Sequence, residues 1–365
     1  MTITKKARRV MLIILASVLA ILIVLFCVLF AWSPGKIAPY RDESGGVLAG
    51  SVAEIVRTEI GGTSQGLIIK GKSDQNPVLL FLHGGPGNPE YVLAKNYDIG
   101  LEDYFTVCWW DQRGSGMSYS GSGSPETWTL ERMTRDTVEV TNYLRERFGT
   151  DKIYLMGHSW GSFLGVNVAS QYPELYEAYI GIGQVTNQLE SEKLAYDYMI
   201  KTLSGKGEST KELEKYDLSG ETSDLPTAYF MLRSQTLSKL GNGVFHAPQS
   251  QFSDILLPFL QAREYTLSDK YGYLMGSLKS LVAPVNSELM TDLSLAISKF
   301  DIPVYIFHGV YDMQVNYELS KRYFELLDAP EKQFYTFENS AHSPFMEEPG
   351  RFIEIVKKDI LRLEK

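Results

Sequence analysis

The chain reads as an α/β protein, a mostly parallel sheet flanked by helices, with an inserted helical cap and a single apolar helix ahead of it. Three observations predict this. Short, continuously apolar runs alternate with helix-periodic segments across roughly residues 51–184. The same rhythm resumes near residue 300. Between the two, more than 100 residues hold helix-like segments and no convincing buried strand. Alternating elements bury each other best as helices packed on a parallel sheet.

The first element is Val10–Trp32, 23 residues with no charge and only Ser17 clearly polar. As a helix it spans about 34 Å, enough to cross a hydrocarbon core of about 30 Å. Lys5, Lys6, Arg8 and Arg9 precede it, and no acid occurs before Asp42. Basic flanks stay in the cytoplasm, so a membrane anchor at 10–32 places residues 1–9 inside and the rest outside. A cleaved signal sequence is the competing reading. Its apolar region is ordinarily about 7–15 residues, and no clean small-x-small site follows here. Residues 33–50 hold two prolines and four glycines and read as a short linker.

Two early strands are expected at Glu54–Ile60 and Gly66–Lys70. Pro77–Leu82 (PVLLFL) and Phe105–Trp110 (FTVCWW) are apolar at almost every position, as strands covered on both faces are. Glu126–Phe148 has a helical apolar face ended by Gly149. Lys152–Met156 is a strand, Ser162–Ser170 a helix and Tyr176–Gly181 a strand. The cap takes residues 185–299. The core, begun at 51–184, then continues through 300–365. There the expected elements are a strand at Pro303–Phe307, a helix near Glu318–Leu327, a strand at Gln333–Phe337 and a helix at Arg351–Leu363.

Charge narrows the function. The whole chain carries −9, and removing the +4 of residues 1–32 leaves −13 on the body. An acidic body argues against nucleic-acid binding. No His, Cys, Asp or Glu grouping has metal-ligand spacing, so neither metal nor cofactor is expected. Cys27 and Cys108 are the only cysteines, in an apolar run and a buried strand, and are not expected to pair.

Gly157-His158-Ser159-Trp160-Gly161 fits Gly-x-Ser-x-Gly, a weak signal by itself. Its context strengthens it: an apolar strand precedes and a helix follows, the setting of a nucleophile elbow. A serine hydroxyl needs a base near neutral pH. His342 lies between the last strand and the last helix, and Asp312 follows the strand before. The order Ser159, Asp312, His342 matches a hydrolase triad. His308, inside a strand, reads as a core residue. His83-Gly84-Gly85-Pro86-Gly87 directly follows a strand. Such a loop brings backbone amides close to a substrate, so the amides of Gly85 and Trp160 are the expected oxyanion donors.

Together, HGGPG, the block Asp111-Gln112-Arg113-Gly114-Ser115-Gly116-Met117-Ser118 and the elbow resemble the proline iminopeptidase family of serine peptidases, within the α/β-hydrolase fold. The likeness spans roughly residues 50–185 and 300–365. It implies release of N-terminal residues from short peptides, with Asp111 and Arg113 bracing the oxyanion loop. It also implies a cap carboxylate for the substrate's ammonium, with Glu190, Glu192 and Glu264 as candidates. An esterase or amide hydrolase acting on lipid-like or xenobiotic substrates is the first alternative, since the cap is aromatic. A catalytically silent extracellular binding module is the second, against which the complete set of triad residues argues.

Overall fold

The structure is a computed structural model and describes residues 5–121, 123–216, 218, 226–248 and 250–363. Its centre is one eight-stranded sheet in the order β1-β2-β4-β3-β5-β6-β7-β8. The strands are β1 Val52–Ile60, β2 Thr63–Gly71, β3 Val78–Leu82, β4 Thr106–Asp111, β5 Ile153–His158, β6 Tyr176–Ile182, β7 Val304–Gly309 and β8 Lys332–Phe337. β1 and β2 form a hairpin through Gly61-Gly62, both at positive φ, as its two-residue turn requires. β2 runs antiparallel to β4, and the remaining neighbours are parallel.

The apolar strands are explained by two cores. Leu80 and Leu82 of β3 point into one, with Trp110, Leu155, Phe163 and Ile306. Leu79 and Phe81 point into the other, with Trp109, Met156, Phe307 and Phe352. Successive strand residues face opposite sides, so a strand covered on both sides must be apolar throughout.

The helices are α1 Lys5–Ala31, α2 Tyr91–Asn96, α3 Leu130–Phe148, α4 Trp160–Gln171, α5 Gln188–Gly205, α6 Thr227–Leu240, α7 Leu257–Gln261, α8 Leu267–Ser280, α9 Val285–Leu289, α10 Leu293–Ala296, α11 Tyr317–Leu326, α12 Pro344–Glu347 and α13 Pro349–Ile355. Strand ends shift by up to three residues from the sequence expectation, and three helix boundaries shift as well. α3 starts at Leu130 because the Thr129 hydroxyl caps it by accepting from the Arg132 amide at 3.2 Å. α4 starts at Trp160, immediately after Ser159. The terminal helix is two pieces: α12 stops before Pro349, which opens α13, and α13 passes into a π-helical turn at Val356–Ile360.

Between β6 and β7 the described residues contain helices α5–α10 and no named strand. α8 is seated on the body by two glycines. A Cβ at Gly272 would lie 2.4 Å from the Gly116 carbonyl oxygen, and one at Gly276 2.4 Å from that of Gly114.

α1 is long and apolar enough to cross a membrane, and its apolar stretch is almost wholly exposed. Beyond it, residues 33–50 do not stand free as the expected linker would. Pro34 pairs with Thr266, the Lys36 amide donates to the Arg263 carbonyl at 2.9 Å, and Ile37 packs against the core. Residues 1–4 of the basic flank lie outside the described residues, as do 217, 219–225 and 249 of the cap. Cys27 and Cys108 are both free.

Candidate active site

β5 ends at His158 and α4 begins at Trp160, so Ser159 occupies the turn alone. Its backbone sits at φ 55°, ψ −121°, a conformation that side chains rarely adopt. Such strain costs of order 1–3 kcal/mol and persists only where the surroundings impose it. The glycines of the motif are steric necessities. A Cβ at Gly157 would meet the Gly161 oxygen at 2.2 Å, and one at Gly161 would meet the Leu82 oxygen at 1.9 Å. These contacts are with backbone and cannot be relieved by a rotamer change.

Ser159 makes no capping hydrogen bond with its side chain. The nearby Ser162 is committed instead: its hydroxyl donates to the Ser159 carbonyl at 2.7 Å and accepts from the Val185 amide at 2.9 Å.

The loop after β3 comes in beside the elbow. A Cβ on Gly84 would lie 3.2 Å from the Ser159 Cβ. Gly85 takes φ +115°, and a side chain there would press on the Gly87 amide at 2.7 Å. Gly87 backs onto α8, where the Ser277 hydroxyl donates to its carbonyl at 3.2 Å. His83 is wholly buried. Its Nδ1 donates to the Gly84 carbonyl at 2.8 Å, and its Nε2 accepts from the Gln112 amide at 3.1 Å. Burial pushes its pKa down to about 4, so it acts as a neutral strut.

Gln112 ties this loop to the elbow. Its side-chain amide donates to the His83 carbonyl at 3.0 Å, and its Oε1 accepts from the Trp160 indole at 2.9 Å. The family resemblance implies this bracing role for Arg113. That side chain instead pairs with Asp136 at 2.6 Å and donates to the Gly61 carbonyl at 3.0 Å, fastening the β1–β2 hairpin to α3. Arg113 cannot do both, because its guanidinium is held in these contacts. Asp111 accepts from the Met117 amide at 2.8 Å and the Tyr265 hydroxyl at 2.9 Å, holding the 114–118 turn against the cap. Burial raises its pKa to about 7 against the pull of those donors.

Asp312 and His342 meet, with His342 Nδ1 2.7 Å from Asp312 Oδ2. The other oxygen accepts the amides of Gln314 at 2.8 Å and Val315 at 2.9 Å. His308 Nε2 lies 3.0 Å from the same Oδ2, so this histidine touches the acid rather than filling core space alone. Burial would raise the Asp312 carboxyl, but His342 and His308 overcome it and hold the pKa well below the carboxylate range. Burial lowers the pKa of His342, with Asp312 opposing. Gly183 leaves room for the imidazole, since a Cβ there would lie 2.9 Å from His342 Nδ1.

Behind His342, His158 Nε2 bonds the His342 carbonyl at 3.0 Å and His158 Nδ1 meets Glu90 at 2.6 Å. Burial works against charging His158, yet Glu90 overcomes this and raises its pKa. Glu90 carried no signal in the sequence as a site residue, and Gln112 lay in the 111–118 block without a role of its own; they stand 69 and 47 positions from Ser159.

Ser159, Trp160, Gly85, Pro86 and His342 line one cavity of about 570 Å³ beneath the cap. Of the three cap carboxylates considered, only Glu192 reaches it. Glu190 is exposed on α5, and Glu264 is paired with Lys95 at 2.6 Å elsewhere. Glu192 is buried. It accepts from Gln188 at 2.8 Å, and Arg233 Nε lies 2.7 Å away as an ion pair. Burial raises its pKa, with Arg233 opposing. Among the cap aromatics, Phe230 reaches this cavity. Among the described residues no three His, Cys, Asp or Glu side chains are grouped as a metal ion would need.

Residues 77–349 match the family described as alpha/beta hydrolase fold. The probable aminopeptidase YbaC of Bacillus subtilis (strain 168) is 35% identical over 308 residues, covering 84% of this chain and 96% of that protein. A proline iminopeptidase of Clostridium botulinum is 25% identical, over 77% of this chain and 88% of its own. Among solved structures, the proline iminopeptidase-related protein TTHA1809 from Thermus thermophilus superposes with a TM-score of 0.58 at 22% identity. That superposition covers 84% of this chain and 96% of that one, and speaks for the fold.

Proposed function

The chain belongs to the α/β-hydrolase fold family, among its proline iminopeptidase-like members, and from this we propose that it is a membrane-anchored serine aminopeptidase. The carrying observation is that His342, held by Asp312 at 2.7 Å, lines the same cavity as Ser159, Gly85 and Trp160. In this reading neutral His342 takes the Ser159 proton as the oxygen attacks the scissile carbonyl. The two amides stabilise the oxyanion, and His342 then protonates the leaving amine. Water, deprotonated by His342, releases the acyl group and restores Ser159. Asp312 orients the imidazole and stabilises its charged form.

The aminopeptidase part is supported by the names of the relatives and by Glu192 on the cavity wall. A substrate ammonium there shares the carboxylate with Arg233. A charge-assisted hydrogen bond contributes about 1.5–3 kcal/mol, or roughly 10–150-fold in discrimination. The test compares prolyl-4-nitroanilide with its N-acetyl form in the native chain and in Glu192→Gln. A free-amine preference of at least about tenfold, lost in the variant, is expected. Equal cleavage of both substrates would reject the aminopeptidase reading.

One observation favours an esterase instead. Arg233 already neutralises Glu192, and much of the remaining wall is Val185, Phe230, Leu281, Leu289 and Met290. Cleavage of 4-nitrophenyl butyrate well above that of the free amide would mark that outcome. The anchor reading rests on α1 and its basic flank, and with basic flanks kept in the cytoplasm it has the catalytic body facing outward. A mature chain beginning near Pro34 would instead mark a removed signal sequence.

A further inference from the structure

The cap carries an apolar surface that the catalytic reading does not use. On α8 and its continuation, Tyr271, Leu274, Leu278, Leu281 and Val282 are all exposed, Val282 to 72%. Their spacing of three or four residues puts them on one side of the helix. The opposite side is the one seated by Gly272 and Gly276 on the body. The stripe holds no charged residue and runs about 16 Å along the helix axis. Scattered exposed apolar residues need no explanation, but an aligned stripe marks an interaction surface.

Its position suggests what covers it. α8 begins where α1 ends. Lys270 Nζ donates to the Trp32 carbonyl at 3.1 Å and to the Ser33 hydroxyl at 2.8 Å. The same ammonium donates to the Leu260 carbonyl at 2.6 Å, at the end of α7. Lys270 is itself buried, and Pro34 bridges to Thr266. The anchor therefore enters the body at the first turn of α8, with no flexible spacer between them. A bilayer holding α1 is kept beside this helix at a very high effective concentration. Two more exposed apolar residues, Phe252 and Leu256, precede the α7 end that meets Lys270.

We propose that the exposed face of α8 lies in the bilayer interface, so that the cap rests on the membrane instead of standing away from it. The far end of the stripe reaches the catalytic cavity, whose wall includes Ser277, Ser280, Leu281 and Val282. That places the cavity mouth at the level of the lipid headgroups. The proposal rests on α1 being a retained anchor.

The test uses the full chain in a Cys27→Ala background, reconstituted in phosphatidylcholine vesicles. Cys108 is buried and does not compete for label. Single cysteines at Leu274, Leu278 and Val282 receive an environment-sensitive fluorophore. Leu22→Cys reports the anchor. Asp151→Cys reports the strand ends opposite the cap. A nitroxide near the headgroup–acyl boundary, within the ~5–10 Å depth that an interfacial helix face reaches, probes the α8 and Asp151 labels, and one at the acyl-chain end probes Leu22, which lies near the middle of the 10–32 span. The three α8 labels and the Leu22 label are expected to lose roughly half their emission or more, and the Asp151 label almost none. Quenching at Leu22 without quenching on α8 overturns the proposal and leaves the anchor intact. No quenching at Leu22 removes the anchor and the proposal with it. Energy transfer between α8 labels on different chains, without lipid quenching, assigns the face to a second copy and also overturns it. Thermal melts of each labelled variant check that the fold is kept.

Discussion

Asp312→Asn isolates the proposed relay, because the structure leaves an amide no satisfactory orientation. Asp312 Oδ2 faces His342 Nδ1 and His308 Nε2, while Oδ1 faces the amides of Gln314 and Val315. An asparagine NH2 in either place confronts donors. Turned toward His342, it forces the imidazole to carry its proton on Nε2, where it can no longer accept from Ser159. Turned toward the 314–315 turn, it breaks two hydrogen bonds to a charged acceptor, each contributing about 1.5–3 kcal/mol. The first orientation keeps the turn and disables the base, so kcat is expected to fall on the order of ten thousandfold with little change in KM. Steady-state hydrolysis of 4-nitrophenyl butyrate measures it independently of substrate preference, alongside a thermal melt. A variant that keeps kcat within about tenfold while folding normally would refute the assignment of Asp312.

Other expectations follow from the same geometry. Ser159→Ala should abolish labelling by a fluorophosphonate probe. Ser162→Ala should keep labelling and lose stability, about 1–3 kcal/mol in a denaturant titration, because the Val185 amide loses a buried acceptor. The acid limb of kcat/KM should have its midpoint below the ordinary histidine value of about 6.5. Burial lowers the pKa of His342, and its neutral form, present above that pKa, is the one that accepts a proton. A midpoint above neutrality in a pH–rate profile would contradict this. Gln112→Ala unlinks the His83 loop from the Trp160 indole and should cost on the order of a hundredfold in kcat through misplaced oxyanion donors. Unchanged kcat in that variant would show that the loop holds itself.

Whatever depends on near neighbours along the chain was legible in the amino-acid order. Strands covered on both faces must be apolar along their length, so β3 and β4 were readable from PVLLFL and FTVCWW. The elbow was readable because its glycines stand at fixed offsets from the serine, although only 157 is closed off from within the motif, by Gly161, while 161 is closed off by Leu82 of β3. The order of Ser159, Asp312 and His342 followed from which strand each one ends. The apolar run of α1 was visible for the same local reason.

Contacts that join distant segments emerged only in the folded chain. Glu90 reaches His158 across 68 positions, Gln112 reaches Trp160 across 48, and Lys270 reaches Ser33 across 237. A single polar residue leaves no periodic trace, and its partner is set by where strands β3, β4 and β5 lie in the sheet. Arg113 went astray for this reason: a buried arginine beside the oxyanion loop could have braced it, and only the position of Asp136 on α3 turned it away. Glu192 was one of three comparable carboxylates until the cap folded over the cavity and left it alone on the wall, with Arg233 beside it. Burial separates such groups, because a buried charge needs a partner and an exposed one does not.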